Sequence, residues 1–348
     1  MSYVDNHPPK KKRKKKALLI ILLTVVLLIG TVVGGGLFLI NHTLNKMNRV
    51  DKSKEVAIPR ELEDFEPDER TQGMDDTLNP DQVEWSDIKV MKRDPNVINI
   101  LLIGQDRRPG ETGRTRSDSM IIVSINKKNK VISMVSLMRD MYVPIPGFSD
   151  NRINAAYAFG GMTLLDEVIK GNFGVVIDGN IVVDFEGFTQ AMSQVAPLDI
   201  ELKDYEASYL NQWNSGWNLH AGVNALNADQ LLAYARIRHV GNADYERTER
   251  QRRILNAAFA KVKGMSATDV YNLVDSIMPT LTTDMSNSDI MGYVSYYLAN
   301  RPAMGGDYRL PVSGTFSDEI IRGMMVLLPN LKENARMLQT YLYGRSVN

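Results

Sequence analysis

The segment from Ala17 to Ile40 carries no charge over 24 residues and follows directly on an unbroken basic run, Lys10 to Lys16. At ~1.5 Å per residue a helix of that length measures about 36 Å, enough to cross a hydrocarbon layer of ~30 Å with some tilt. A cleaved signal peptide would have a shorter apolar region and a small-residue cleavage site, and neither is evident. The segment reads as a single-pass anchor. By the positive-inside rule the lysine run stays in the cytoplasm and everything after Asn41 lies outside the cell. Pro9-Lys-Lys-Lys-Arg also has the composition of a nuclear-localisation signal, but beside a membrane span topology explains it better. Gly30 and Gly34 have the small-xxx-small spacing of helix dimers, a pattern that is more often incidental.

With the chain divided between compartments, its formal charge of zero, 41 basic against 41 acidic residues, is an average over unlike parts. Between Asp51 and Asp94 stand fourteen acidic and seven basic residues with few apolar ones. Such a composition does not build a core. The expected organisation is a basic cytoplasmic tail over 1–16, a transmembrane anchor over 17–40, an acidic extracellular stalk over 41–96 and a folded domain over 97–348. There is no cysteine, so neither disulfides nor thiolate metal sites are available. Stability outside the cell must come from a sizeable core, for which ~250 residues suffice.

The domain opens with Val97-Ile-Asn-Ile-Leu-Leu-Ile103, too continuously apolar for a surface strand and so expected at the centre of a sheet. Met120 to Ile125 and Val131 to Leu137 read as strands joined in a hairpin across Asn126 to Lys130. A helix is expected from Asn154 to Lys170, a strand near Asn180 to Phe185, a helix from Glu186 to Val195 and a strand around Leu198 to Leu202. Further helices are expected at Ala228 to Ala235, Asp244 to Lys263, Ala267 to Met278, Ser288 to Leu298 and Ser317 to Leu342. Strands alternating with helices specify an α/β fold, a central mixed β-sheet flanked by helices on both faces.

The helix from Asp244 to Lys263 carries the first functional signal. Its apolar stripe is Ile254, Leu255, Ala258, Phe259 and Val262, at three- and four-residue spacing. Projected toward the N-terminus, that stripe runs through Gln251, Arg247 and Asp244. Polar groups on a core-facing stripe must either pair internally or line a cavity. Just upstream, Arg236 and Arg238 are two residues apart, and an extended segment would turn both to one side. Arginines gathered at an inward-facing helix start suit an anion, above all phosphate. The alternative is a buried ion-pair network.

A second cluster stands in the loops after the first strands. Gly104-Gln-Asp-Arg-Arg108 follows the central strand, and Gly113-Arg-Thr-Arg-Ser-Asp-Ser119 leads into the next. Asp106 and Asp118 thus flank one loop on adjoining strands. Two carboxylates among arginines suit a hard cation such as Mg²⁺, which binds through one or two carboxylates plus substrate phosphates. An Asp beside an Arg in a loop is also the commonest kind of surface pair, of small energetic value. The third strand ends in Ser136-Leu-Met-Arg-Asp-Met-Tyr142, adding Arg139 at a carboxyl end, where α/β sheets usually bind ligands.

Other chemistries are excluded. Only His220 and His239 lie in the domain and no G-x-S-x-G elbow occurs, which argues against a Ser–His hydrolase. There is no H-E-x-x-H and no Walker-type phosphate loop. The arginines are expected across the membrane from nucleic acid, so no nucleic-acid partner is expected. Trp213 and Trp217 either stack on sugar rings or pin a loop.

Taken together, the motifs resemble the LytR–CpsA–Psr family of Gram-positive cell-envelope proteins, over Val97 to Gly344. The resemblance rests on L-L-I-G-x-D-x-R at Leu101 to Arg108, R-S-D-S-M at Arg116 to Met120, the Arg139-Asp140 pair and I-N-A-A-Y-A at Ile153 to Ala158. Y-A-R-x-R at Tyr234 to Arg238 and D-x-x-R-x-x-R-Q at Asp244 to Gln251 complete it. Two departures stand out. Met138 replaces the proline of the family's P-R-D, as in a Psr-like branch, and Arg152 stands where a lysine often precedes I-N-A-A-Y.

The resemblance implies a phosphotransferase of the EC 2.7.8 type, with a side pyrophosphatase activity. It would move a teichoic acid, capsular or related anionic wall polysaccharide from a polyprenyl-pyrophosphate carrier to peptidoglycan, at the muramic acid C6 hydroxyl. It implies Mg²⁺, or Mn²⁺ in its place, on Asp106 and Asp118. Pyrophosphate binding is implied for Arg108, Arg116, Arg139, Arg236, Arg238, Arg247 and Gln251, with Arg152 inheriting the lysine's role. Asp106, Asp118, Arg139, Arg236 and Arg238 are the expected catalytic set, and Asp244 would orient the arginines. The expected partners are the lipid-linked glycopolymer, peptidoglycan and the membrane. A non-catalytic lipid-pyrophosphate scaffold or regulator of wall assembly is the rival reading.

Overall fold

The computed structural model describes residues 41–348 apart from 106, 108–112, 238–239, 241–242, 264 and 301. The anchor expected at 17–40 lies outside the described residues. Among those described, no helix is long and apolar enough to cross a membrane.

In chain order the strands are β1 (Asn48–Arg49), β2 (Val97–Gln105), β3 (Ser117–Asn126), β4 (Val131–Leu137), β5 (Tyr142–Val143), β6 (Asn151–Arg152), β7 (Gly179–Val183), β8 (Leu198–Leu202), β9 (Gly222–Leu226), β10 (Thr282–Thr283), β11 (Ala303–Leu310), β12 (Phe316–Ile321) and β13 (Met324–Pro329). The helices are α1 (Ala155–Phe173), α2 (Phe185–Val195), α3 (Asp204–Trp213), α4 (Ala228–Ala235), α5 (Ala243–Lys263), α6 (Ala267–Ile277), α7 (Asn287–Asn300) and α8 (Leu331–Tyr343).

Seven strands form one mixed sheet in the order β1-β10-β7-β2-β3-β4-β11. β2 sits inside it, antiparallel to β3 and parallel to β7. Its Ile98 and Ile100 enter one core while Leu101 and Ile103 enter the other. A strand buried on both faces has no polar alternation, which is why it reads as one apolar run. The first core is closed by α2, α4, α5, α6 and α7 through Met192, Leu231, Ile254, Val274 and Ile290. The second is closed by α1 and α8 through Leu165 and Leu338. The expected architecture, helices on both faces of a mixed sheet, is what forms.

Three expectations are corrected. The first concerns 41–96. From residue 41 onward this segment lies on the domain rather than holding it away. β1 pairs with β10 in the main sheet, and Phe65, Leu78, Val83 and Trp85 pack on a small third core with Tyr142 and Met324. Several of its acidic side chains make specific bonds, among them Glu55, Glu63, Asp64 and Asp68. Glu55 accepts from the Met162 and Thr163 amides at 3.2 and 2.8 Å and from Thr163 Oγ1 at 2.8 Å. That carboxylate caps the second half of α1, which breaks at Gly161, where φ is +71°.

The second correction is the stretch expected as one helix from Ser317 to Leu342. It is the hairpin β12–β13 followed by α8. Arg322 and Gly323 turn the hairpin with positive φ. Phe316 to Pro329 is rich in β-branched and apolar residues with a proline at its end, and its pairing with the segment at 68–78 settles its form. The third correction is Arg236. It ends α4 in a helical conformation, not in an extended one. α3, β9 and β11, with the short strands β1, β5, β6 and β10, have no counterpart among the expected elements.

Candidate functional site

β2 and β3 run antiparallel, and Gly104 faces Ser119 while Gln105 faces Ser117. Asp118 is therefore the extra residue of a bulge. Bulges re-aim side chains at sheet ends. Gly104 allows the two strands to close there, since a Cβ on it would stand 3.1 Å from Ser119 Cβ. The residue after Gln105 is Asp106, which lies outside the described residues together with Arg108. Between them Arg107 is described. Its Nε donates to Asp184 Oδ2 at 3.1 Å, and the same carboxylate caps α2 through the Gly187 amide at 2.9 Å. The end of β2 is thereby tied to a helix start.

Asp118 meets Arg139 just past the carboxyl end of β4, with Arg139 Nη1 donating to Asp118 Oδ1 at 2.7 Å. Arg139 Nε stands 3.3 Å from Asp140 Oδ1, and Arg152 Nε stands 3.5 Å from the same oxygen. Asp140 thus joins two guanidinium groups that the sequence separates by twelve residues. It was not singled out from sequence, although the Arg-Asp dipeptide held it in plain view.

Arg116 lies next to this group through Asn154, whose Oδ1 accepts from its Nη1 at 3.4 Å. Asn154 also receives the Ser117 amide on its carbonyl at 3.3 Å and donates its own amide to the Arg139 carbonyl at 3.4 Å. The asparagine of I-N-A-A-Y is therefore a clasp between the start of β3 and the end of β4. Tyr157 of the same motif is buried, and burial pushes its hydroxyl up to about 12. It packs in the second core.

Arg116 and Arg152 face carboxylates from the segment once expected as a stalk. Arg116 binds Asp64 through Nη2, and its Nε lies 3.0 Å from Glu66 Oε2. Arg152 binds Asp68 and donates to the Met325 carbonyl at 2.8 Å. Composition gave no sign of these partners.

The other arginines stand on α4 and α5. Arg236 is exposed, Arg247 is buried and Gln251 is half-buried. Asp244 lies in the first turn of α5, and Arg238 lies outside the described residues. α5 reaches the same strand end as Arg139, since Arg252 Nη1 donates to Ser136 Oγ at 3.2 Å. Beside it Arg309 of β11 stacks over the Tyr245 ring at 4.2 Å.

Arg250 realises the ion-pair alternative. Its side chain is 1% exposed and binds Glu206 Oε1 at 2.8 Å and Glu246 Oε2 at 2.7 Å. It also donates to the Ile237 carbonyl at 3.0 Å. A buried charge is tolerable only when paired and fully hydrogen-bonded. The result fixes the chain immediately before Arg238. Tyr234, buried with its hydroxyl pushed up to about 12 by burial, accepts from Arg253 Nη1 at 3.0 Å.

Among the described residues no group of three His, Cys, Asp or Glu side chains could hold a metal alone. That fits a hard cation of the Mg²⁺ kind only if substrate phosphates complete its shell. Asp118, an oxygen donor on a bulge among cations, suits such a shared site.

A sequence model of the LytR_cpsA_psr family matches residues 64–341. The match begins inside the acidic segment that lies on the domain. The regulatory protein MsrR of Staphylococcus aureus is 37% identical over 161 residues, 45% of this chain and 47% of that one. The chain thus spans about half the length of that relative. The polyisoprenyl-teichoic acid–peptidoglycan teichoic acid transferase TagU of Oceanobacillus iheyensis is 28% identical over 278 residues, 78% of either chain. The solved structure of Bacillus subtilis YwtF (TagT) with bound octaprenyl pyrophosphate is similar at a TM-score of 0.54 and 23% identity, over 74% of this chain and 97% of that one. That likeness speaks to the fold.

Proposed function

The chain belongs to the LytR_cpsA_psr family, and on that premise we propose that it is a glycopolymer transferase of the Gram-positive wall. It takes a teichoic acid, capsular or related anionic polymer from a polyprenyl-pyrophosphate carrier and joins it to peptidoglycan through a phosphodiester. The observation that carries this reading is the junction of Asp118, Arg139, Asp140 and Arg152 at the strand ends, with Arg116 clasped beside it. Two relatives support it, TagU by its described activity and TagT by the octaprenyl pyrophosphate bound to it.

A diphosphate ester carries dense negative charge, and the transfer adds charge to the leaving lipid phosphate. Guanidinium groups fixed beforehand by Asp140 and Asn154 stabilise that charge without reorganising during the reaction. The acceptor hydroxyl, by the family's pattern that of muramic acid C6, attacks the sugar-bearing phosphorus. The bond from that phosphorus to the bridging oxygen breaks, and polyprenyl phosphate leaves. The hydroxyl proton passes to a carboxylate, Asp118 or Asp106. Mg²⁺, held by Asp106 and Asp118, would supply further neutralisation of the diphosphate. Arg108, Arg236, Arg238, Arg247 and Gln251 would complete the grip on the phosphates, and Asp244 would orient the arginines. The apolar segment 17–40 would hold the domain at the outer membrane surface, where the carrier lipid lies.

The test is reconstitution. Full-length protein, a lipid-linked polymer, Mg²⁺ and peptidoglycan should yield wall-bound polymer and one equivalent of polyprenyl phosphate. Tight binding of the donor with no released polyprenyl phosphate would reject transfer in favour of a scaffold. Chelation should stop the reaction and added Mg²⁺ restore it.

A further inference from the structure

The stretch Glu63-Asp-Phe-Glu-Pro-Asp68 packs four carboxylates into six residues. Three of them occupy arginines of the candidate diphosphate site, Asp64 and Glu66 on Arg116 and Asp68 on Arg152. The two partners in these bonds are unequally buried. The Arg116 and Arg152 side chains are 9% and 7% exposed, whereas Asp64 and Glu66 are 60% and 56% exposed. A guanidinium that deep needs an anion against it at all times. Asp64 and Glu66 do not need the guanidinium, because water already solvates most of their surface, and Asp68, 23% exposed, keeps the Met325 amide as a second partner at 2.8 Å. An anion that sets an oxygen against each guanidinium can therefore replace them without leaving a buried charge bare.

The backbone of the stretch is arranged for release. Glu66 has φ of +44°, disfavoured for an L residue and more so before proline, where Pro67 stands. Both ends are pinned. Glu63 accepts from the Ser149 amide at 2.9 Å and its hydroxyl at 2.8 Å, and the Asp68 amide donates to the Gly323 carbonyl at 2.9 Å. Phe65 lies beneath the Arg322 guanidinium at 4.5 Å, a contact that draws the middle back.

We propose that Asp64, Glu66 and Asp68 form a carboxylate latch, an internal stand-in for a diphosphate, which keeps Arg116 and Arg152 until the donor's diphosphate displaces it. The proposal rests on the diphosphate reading of the site given above. The latch also favours turnover. A polyprenyl monophosphate product offers one phosphate where the donor's linkage offers two, so it engages fewer of the guanidinium groups, competes less well with three carboxylates, and the latch recloses behind it. The site thereby discriminates diphosphate from monophosphate by competition rather than by shape.

The experiment titrates inorganic pyrophosphate, and separately inorganic phosphate, into the full chain in detergent. Wild type is compared with the isosteric triple variant Asp64→Asn, Glu66→Gln, Asp68→Asn. Removing the competitor should raise pyrophosphate affinity about tenfold or more and narrow its preference over phosphate. Unchanged or weaker pyrophosphate binding by a folded triple variant overturns the latch. If that variant does not fold, hydrogen exchange on wild type decides. Segment 63–68 should exchange faster with saturating pyrophosphate, and undiminished protection overturns the proposal. Transfer to peptidoglycan is scored apart. Tighter binding by the variant with no transfer by either protein supports the latch and sinks the transferase reading. Transfer by both with equal pyrophosphate affinity sinks the latch alone.

Discussion

Arg139 and Asp118 hold each other at 2.7 Å across two strand ends, one just beyond the last residue of β4 and the other on the bulge of β3. The pair locks the part of the sheet on which the proposed chemistry depends. Asp118→Asn keeps the shape and removes the charge. Transfer should fall by roughly 10²- to 10³-fold, measured well below the unfolding transition so that the modest stability lost with the pair does not contribute. Activity within tenfold of wild type would take Asp118 out of the reaction.

Arg250 is the reverse case, a motif arginine spent on structure. Arg250→Met leaves Glu206, 1% exposed, buried opposite an apolar chain. Breaking one side of a buried pair costs about 3–5 kcal/mol, a loss visible in urea unfolding. Pairing the change with Glu206→Gln should recover part of it. A stability close to wild type in the single variant would show that the network is not required.

Gly161 interrupts α1 at φ of +71°, and a Cβ there would collide with the Glu55 carboxylate. Gly161→Ala should destabilise by about 1–3 kcal/mol, combining a disfavoured backbone with loss of the cap. Gly171, in the same helix with open space around its Cα, is the control. Its alanine variant should be neutral or more stable. Equal effects at the two sites would mean that Glu55 does not cap the helix.

Lys52 Nζ lies 2.7 Å from Asp166 and 2.8 Å from Asp284. Burial pushes the Asp166 carboxyl up to about 6, Lys52 opposing the shift and Asp284 adding to it. A raised folded-state value means that the folded protein holds a proton which the unfolded chain has already released. This stabilisation is full below pH ~4 and is lost as pH rises through about 6, at ~1.4 kcal/mol per unit, or ~3 kcal/mol at most. Asp166→Asn removes the titration. Its stability relative to wild type should improve between pH 4 and 7, and a difference that stays flat across that range would contradict the assignment.

The secondary elements with strong periodicity were legible. β2 reads as an apolar run because both of its faces are covered, and α5 reads as a helix because Ile254 and Ala258 recur at helical spacing and are fully buried. The hairpin at Phe316 to Pro329 was not, since short apolar stretches suit helix or strand equally and its pairing with a distant segment decides. The acidic segment was misread for a related reason. Its composition says only that it forms no core of its own, and the arginines that receive it lie 52 to 84 residues further along the chain.

The α/β order, the family and the supply of arginines and carboxylates can all be read along the chain, because periodicity and motif spacing are local properties. How those charges are spent emerges with the packed fold. It turned Arg250 inward to Glu206, joined Arg139 to Asp118, and laid Asp64, Glu66 and Asp68 on Arg116 and Arg152. The physical reason is that a charge is satisfied by proximity in space and by burial, and neither is written in the spacing of residues along one chain.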